Sequence, residues 1–162
     1  MEIKKTLLPL EKLKPIHQDV LKIKFGRHFT DYMFTMQYNE GEGWHSAEIK
    51  PYQPLQLDPA CAVFHYGQEV FEGQKAYKSK QNDILLFRPQ ENAKRFNLSM
   101  KRMSMPEIPV EDFLFFEEEF LKLEERWIPS QKGASLYVRH TGIATESALG
   151  VNPSNRYLFF II

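Results

Sequence analysis

The chain has 162 residues, of which 43% are hydrophobic and 26% are charged, and this length and composition indicate one folded domain with a buried core. The 21 Lys and Arg residues balance the 21 Asp and Glu residues, so no overall field favours a nucleic acid or an anionic membrane as a partner. The only cysteine, Cys61, allows no intrachain disulfide and favours a reducing, cytoplasmic location. No apolar run approaches the ~20 residues of a membrane span, so we expect no membrane contact.

The first half of the chain predicts short strands in a mostly antiparallel sheet. Aromatic and threonine residues predict a strand over residues 29–38, which a glycine-containing turn ends. Three prolines between residues 50 and 59 predict a connecting loop. Three further strands are predicted in the apolar segments 60–66, 74–78 and 83–87.

Two helices are predicted next, over residues 88–102 and 110–127. The first has an early proline and an apolar face formed by Ala93, Phe96 and Met100. The second has apolar residues at every third or fourth position, which are Phe113, Phe116, Phe120, Leu123 and Trp127. Its glutamates Glu117, Glu118 and Glu124 are expected to point outward to solvent.

The last two predicted strands cover residues 134–141 and 156–162. The final run, RYLFFII, is almost continuously apolar, which is typical of a strand covered on both faces. Because an uncovered apolar edge strand promotes aggregation, we expect this strand to require either more chain or a partner. The residues alone therefore predict an α+β domain.

One predicted strand carries a candidate anion-binding face. Side chains alternate along a strand, so Tyr137, Arg139 and Thr141 share one face. The planar fork of an arginine recognises carboxylates, and this face is suited to an acidic small molecule. The alternative is a solvated sheet face, which alternation alone favours.

A second cationic group lies on the first predicted helix. Arg95 is close to Lys94, Lys101 and Arg102, and such a cluster either holds a phosphate or forms a solvated helix face. Composition alone favours the solvated face. His65 and His140 have no partner at a metal-ligand spacing, so no metal site is predicted, and the chain has no glycine-rich nucleotide-binding motif.

Six segments then resemble the branched-chain amino-acid aminotransferases, a family of fold-type IV pyridoxal-phosphate enzymes. In family order they are FTDYMFT, GWHSAEIKPY, FHYGQEVFEGQKAY, LLFRPQENAKRF, LYVR and LGVNPS. The resemblance implies that residues 1–162 form the family's N-terminal small domain, with residues 1–24 as an extension. The implied fold is α+β, a two-layer sandwich of a mostly antiparallel sheet with helices packed on one face.

The resemblance implies a transaminase that moves an amino group between Leu, Ile or Val and 2-oxoglutarate, with pyridoxal 5'-phosphate as cofactor. The Schiff-base lysine of the family belongs to a C-terminal domain that has no counterpart here. We therefore assign no catalytic residue, expect the chain to be inactive alone, and expect a homodimer when the enzyme is complete. The alternatives are a D-amino-acid aminotransferase, an aminodeoxychorismate lyase, or a truncated module that only binds or interacts.

The resemblance assigns roles to seven residues of this sequence. Arg95 matches the arginine that grips the cofactor phosphate. Tyr137 and Arg139 match a pair near the substrate side chain, where the arginine binds the distal carboxylate of glutamate. Four further residues match pocket walls, namely Phe25 and Phe71 within one subunit, and Tyr66 and Val151, which reach across the dimer interface.

Two local features accompany these assignments. The segment HYGQEVFEG is expected to form a turn in which Gly67 and Gly73 allow tight backbone geometry and direct Tyr66 and Phe71 to separate pocket walls. His140 stands where the family usually has proline, which fixes the backbone and removes a donor. The path of the chain beyond Arg139 is therefore expected to differ from that of the family.

Overall fold

The computed structural model describes all of residues 1–162 and contains seven strands and three helices. The strands are β1 (Lys4–Lys5), β2 (Tyr32–Asn39), β3 (Gly43–Pro51), β4 (Glu69–Lys78), β5 (Ile84–Leu86), β6 (Leu136–Ala144) and β7 (Arg156–Ile161). They form one sheet in the order β1-β3-β2-β7-β6-β4-β5. Only the ladder between β1 and β3 is parallel, so the prediction of a mostly antiparallel sheet is confirmed.

Two long helices, α2 (Pro89–Arg102) and α3 (Val110–Leu123), pack on one face of this sheet. Their apolar stripes are buried as the helical spacing predicts, at Ala93, Phe96, Met100, Phe113, Phe116 and Phe120. Phe159 of β7 joins the layers, since its ring centroid lies 5.5 Å from that of Phe96 and 5.6 Å from that of Phe113. Burying one such side chain contributes roughly 1.5–3 kcal/mol. The α+β two-layer architecture is confirmed.

Two of the three glutamates expected to face solvent near α3 are instead buried. The side chains of Glu117 and Glu124 are fully buried, whereas Glu118 is exposed and pairs with Lys122. Buried polar groups need hydrogen-bond partners, and Glu124 accepts the Tyr32 backbone N–H at 2.6 Å. Burial raises the pKa of Glu124 to about 7, although this hydrogen bond opposes the shift.

Strand β7 does not lie at an edge of the sheet. It pairs with β2 on one side and with β6 on the other, so its backbone groups are satisfied within the chain. Its coverage is one-sided, because Phe159 and Ile161 are buried under the helices whereas Leu158 and Phe160 remain half-buried on the open face. Strand β7 is therefore not an edge strand, and within this chain it is covered by helices on one face only.

The prediction of a strand over the apolar segment 60–66 is wrong. Ala62–Tyr66 form a short helix, α1. Short apolar runs fit either a strand or a helix by pattern alone. Here a turn precedes the segment and favours the helix, since Asp58 accepts the Ala60 N–H at 2.7 Å just before the helix begins. Gly67 ends the helix with a left-handed φ of 60°, a conformation that glycine adopts readily.

The sequence patterns also missed strand β3. It follows β2 across a tight turn in which Gly41 and Gly43 have positive φ angles, and the two strands pair along most of their length. Only Ala47 and Ile49 of β3 are buried, so the alternation that identifies a strand is weak in this segment. The first residues of the chain pair with this strand through Lys4 and Lys5.

Candidate functional site

The open face of the sheet carries the arginine that alternation placed there. The Arg139 guanidinium carbon lies 4.3 Å from the ring centroid of Phe71, within cation–π range. Arg139 Nη2 donates a hydrogen bond of 3.0 Å to the hydroxyl of Tyr137. The Nε of Arg139 is buried and has no hydrogen-bond partner. The predicted common face of Tyr137 and Arg139 is confirmed, and it presents one cation between two aromatic rings.

Gly73 makes this arrangement possible by its lack of a side chain. It lies opposite Arg139 in the β4–β6 ladder, and a Cβ built there would meet the Tyr137 hydroxyl at 1.9 Å. The tyrosine therefore lies over the backbone of β4. The expectation that Gly73 forms a turn is wrong, because it lies within a strand, whereas Gly67 does form the turn that precedes β4.

Phe25 borders the same face from the N-terminal segment. Its ring meets the ring of Tyr137 edge-on, with 4.9 Å between centroids, and its side chain remains 75% exposed. Residues 16–30 and the open face enclose a cavity of about 580 Å³. This cavity is open to solvent and combines apolar with cationic side chains, among them Ile23, Phe25, Lys75, Tyr137, Arg139 and Ile162.

Arg95 occupies a second position, on the helix side of the sheet. Its Nε and Nη2 donate to the two carboxylate oxygens of Glu72, both at 2.6 Å. Glu72 is 6% exposed and also accepts the Gly73 N–H at 2.8 Å. Burial alone would raise the pKa of Glu72, but the hydrogen bonds and charge of Arg95 hold that pKa below its ordinary value.

Strand β4 separates the two cationic positions. Phe71 contacts Arg139 on the open face, and the next residue, Glu72, binds Arg95 on the helix side. Arg95 makes no hydrogen bond to Tyr137 or to Arg139. The structure thus brings Tyr137, Arg139 and Phe71 together and keeps Arg95 on the other side of β4. A ligand that spans both positions would have to pass the edge of β4, where β5 pairs only residues 76–78.

Tyr66 and Val151 form a third group, distant in sequence from the others. The Tyr66 hydroxyl donates to the backbone carbonyl of Leu149, which ties the end of α1 to the loop of residues 145–155. Leu149 and Val151 on this loop are largely exposed. Gln68 supports the loop by accepting the Ser154 N–H at 3.2 Å. The loop therefore projects apolar side chains beside Tyr66.

His140 faces away from the site, into the core. Its Nε2 lies 3.2 Å from an oxygen of Glu117, and its ring stacks on Phe113 with 4.6 Å between centroids. Glu117 also accepts a hydrogen bond from Gln74. Strand β6 continues past His140 to Ala144, so the strand is not interrupted after Arg139.

Sequence reasoning missed Glu72 and the buried group of Gln74, Glu117 and His140. The sequence pattern that could have identified them is the alternation of β4 and β6. It places Glu72, Gln74 and His140 on the face turned away from Phe71 and Arg139. Polar side chains on a buried face require partners there. No three His, Cys, Asp or Glu residues are grouped as metal ligands. None of the helices has the length and apolarity needed to cross a lipid bilayer.

Comparison with solved structures identifies the fold. The chain is similar to the branched-chain amino-acid aminotransferase of Escherichia coli, with a TM-score of 0.60, 20% identity, and coverage of 82% of this chain and 39% of that one. The branched-chain aminotransferase of Thermoproteus uzoniensis, solved with norvaline, gives a TM-score of 0.59 at 16% identity, covering 81% and 40%. The fold is that of the small domain of fold-type IV aminotransferases.

Sequence relatives identify the family. The chain is 49% identical over all 162 residues to branched-chain-amino-acid transaminase 1 of Bacillus subtilis, and 49% identical over 139 residues to a probable branched-chain-amino-acid aminotransferase of Streptomyces coelicolor. No protein-family model matches it. The chain belongs to the branched-chain amino-acid aminotransferase family. It spans 44% and 38% of the length of these two relatives, and none of the alternative functions is favoured.

Proposed function

We propose that this chain forms part of the active site of a pyridoxal-phosphate-dependent transaminase that acts on branched-chain amino acids and 2-oxoglutarate. The observation that carries the proposal is the pairing of Arg139 with Phe71 and Tyr137 on one open face. An arginine fork suits the distal carboxylate of an acidic substrate, and aromatic walls suit an aliphatic side chain. One face thereby offers contacts for both types of substrate.

The donors of this chain fit the phosphate end of pyridoxal phosphate. Arg95 binds Glu72 through Nε and Nη2 only, so its Nη1 retains two donors for an anion, and its side chain is 67% exposed. We propose that Arg95 holds the phosphate and that Tyr137, Arg139, Phe71 and Phe25 contact the substrate side chain. When bound, the cofactor supplies the electron sink for amino-group transfer.

We propose that activity requires a further domain that supplies the lysine to which the cofactor is attached. Support comes from the relatives, which are more than twice as long as the stretch that matches this chain. We also propose a homodimer in which Tyr66 and Val151 reach the partner's site, since Val151 is 85% exposed. The single buried thiol, Cys61, fits the cytoplasmic location that we propose.

Substitution of Arg139 tests the proposed substrate contact. In the full-length enzyme, Arg139→Ala should lower kcat/KM for glutamate by about 10- to 100-fold, because one charged hydrogen-bonded contact contributes about 1.5–3 kcal/mol. The same variant should change kcat/KM for leucine by less than about threefold. Arg102→Ala, at the exposed end of α2, is the control and should leave both values unchanged. Equal losses for glutamate and leucine would contradict the role of Arg139.

A further inference from the structure

The Glu72 carboxylate is held in place by more contacts than an ion pair with Arg95 requires. Its Oε1 accepts from Arg95 Nη2 and from the Gly73 N–H, and lies 3.4 Å from the side-chain nitrogen of Asn92. Its Oε2 accepts from Arg95 Nε. Since Glu72 is also 6% exposed, its position is fixed by the strand and by α2. Arg95, by contrast, is 67% exposed at its side chain.

A guanidinium group has two edges that can each bind an anion through two N–H groups. Glu72 occupies the edge formed by Nε and one Nη, as the two 2.6 Å hydrogen bonds show. The edge formed by Nη1 and Nη2 remains directed away from the carboxylate. A buried anion and an exposed cation thus share a planar contact that limits rotation of the long arginine side chain.

We propose that Glu72 is a positioning residue that holds the Arg95 guanidinium with its outer edge open to a phosphate monoester. This inference rests on the proposed role of Arg95 toward the cofactor phosphate. Glu72 touches neither the phosphate nor the substrate in this arrangement, and it acts only through Arg95. Its benefit is entropic, because a preorganised side chain loses less freedom when the anion binds. The lowered pKa of Glu72 keeps its carboxylate charged for this purpose.

The direction of the change in phosphate affinity distinguishes a positioning role of Glu72 from a purely electrostatic one. Glu72→Gln removes a negative charge close to the proposed phosphate, so charge alone predicts tighter binding of the anion. Loss of the bidentate pair predicts weaker binding, because Arg95 must then be ordered when the phosphate binds. Immobilising a long side chain costs about 0.5–1.5 kcal/mol, which corresponds to a loss of roughly two- to tenfold.

The test measures dissociation constants of pyridoxal 5'-phosphate and of pyridoxal, which lacks the phosphate, for the full-length apoenzyme. Glu72→Gln should weaken binding of the phosphorylated form by roughly two- to tenfold and leave pyridoxal unchanged. In an Arg95→Lys background, which keeps the charge but lacks the fork, Glu72→Gln should have no further effect. The control is Glu91→Gln, which removes an equal charge from α2, the helix that carries Arg95, where Glu91 pairs with Lys94.

The outcomes are distinguishable. Tighter binding of pyridoxal 5'-phosphate by Glu72→Gln, or an unchanged constant, would overturn the positioning role. Equal weakening of both ligands would also overturn it, since this result would report general damage to the fold. If Arg95→Gln leaves the affinity for the phosphorylated form unchanged, the proposed phosphate contact fails. If only Arg95→Gln weakens binding, the phosphate contact stands and the role of Glu72 fails.

Discussion

The two faces of strand β6 differ in what covers them. On the helix side, Val138 and His140 are almost fully buried, and His140 stacks on Phe113. On the open side, Tyr137 and Arg139 are only half-buried, and they are stacked and hydrogen-bonded but not enclosed. Adjacent residues of one strand therefore serve different purposes. Burial, rather than residue type, distinguishes the side chains that stabilise the fold from those left available for a ligand.

Truncation of one phenylalanine on each side should give the largest contrast. Phe113→Ala removes a fully buried ring from the helix side and should lower the free energy of unfolding by about 3–5 kcal/mol. Phe71→Ala removes a ring that is 63% exposed and should cost less than about 1 kcal/mol, mainly through its contact with Arg139. Urea unfolding of both variants checks this difference.

Similar losses of unfolding free energy in the two phenylalanine variants would contradict the difference between the two faces. Such a result would mean that the open face is packed in solution as tightly as the helix side. The slope of the unfolding free energy against urea should remain the same in both variants, because neither change alters the surface exposed on unfolding by much.

The next largest effect on the free energy of unfolding is expected for the polar groups buried on the helix side. Glu117 binds Gln74 and lies beside His140, whereas the adjacent Glu118 is exposed and pairs with Lys122. Glu117→Ala removes the acceptor of the buried Gln74 amide and the carboxylate beside His140, and it should cost about 2–4 kcal/mol. Glu118→Ala should cost less than about 0.5 kcal/mol. A thermal or urea unfolding experiment that finds equal costs would show that the buried group is hydrated.

The sequence predicted many of the buried and exposed faces correctly. It failed for buried polar groups whose partners are distant in the chain. Alternation placed Tyr137 and Arg139 on one face, and helical spacing identified the buried side of α3. Helical spacing also places Glu117, four residues after Phe113, and Glu124, four residues after Phe120, on that buried side. Their charge was the reason to predict exposure, and a carboxylate is buried only when a donor from another element meets it. For Glu124 that donor is the Tyr32 amide, 92 residues earlier in the chain, which no local pattern reveals.

The same reason explains why the sequence did not identify Glu72 in the candidate site. The resemblance to a family supplied Arg95, but Glu72, its partner, lies on a different element, and only the tertiary structure joins the two. Local rules also misplaced residues 60–66, where an apolar run of seven residues fits either a strand or a helix. Short-range patterns thus identified the two faces of β6 and the apolar sides of α2 and α3, whereas contacts between elements decided which polar groups are buried and paired.

Glu124 gives a pH-dependent test on the buried side. Burial raises its pKa from an ordinary 4.5 to about 7, and the charge of Asp31 contributes to this increase. The folded state thus binds the proton more tightly than the unfolded chain. Between pH 4.5 and 7 this group makes the protein less stable as the pH rises, and above pH 7 its unfavourable contribution is constant.

Replacing the ionisable group should remove this pH dependence. Glu124→Gln keeps an oxygen that can accept the Tyr32 N–H, and at pH 8 it should increase the free energy of unfolding by on the order of 2–3 kcal/mol. At pH 4 the variant and the wild type should be equally stable. Urea titrations at both pH values measure the difference between the two proteins, so that contributions common to both cancel. A constant difference at both pH values would contradict the assignment to Glu124.

The smallest expected effect concerns the open face, at Gly73. In Gly73→Ala the new methyl group would meet the Tyr137 hydroxyl at 1.9 Å, so the ring must move and release Arg139. Because a tyrosine ring on the half-open face can rotate away, the cost should be only about 1–2 kcal/mol. In a Tyr137→Ala background the same glycine change should cost almost nothing, and this double-mutant cycle measures the coupling. Gly150→Ala, where the nearest atom is 3.4 Å away, is the control. Costs that simply add would show that Gly73 does not set the position of the phenol.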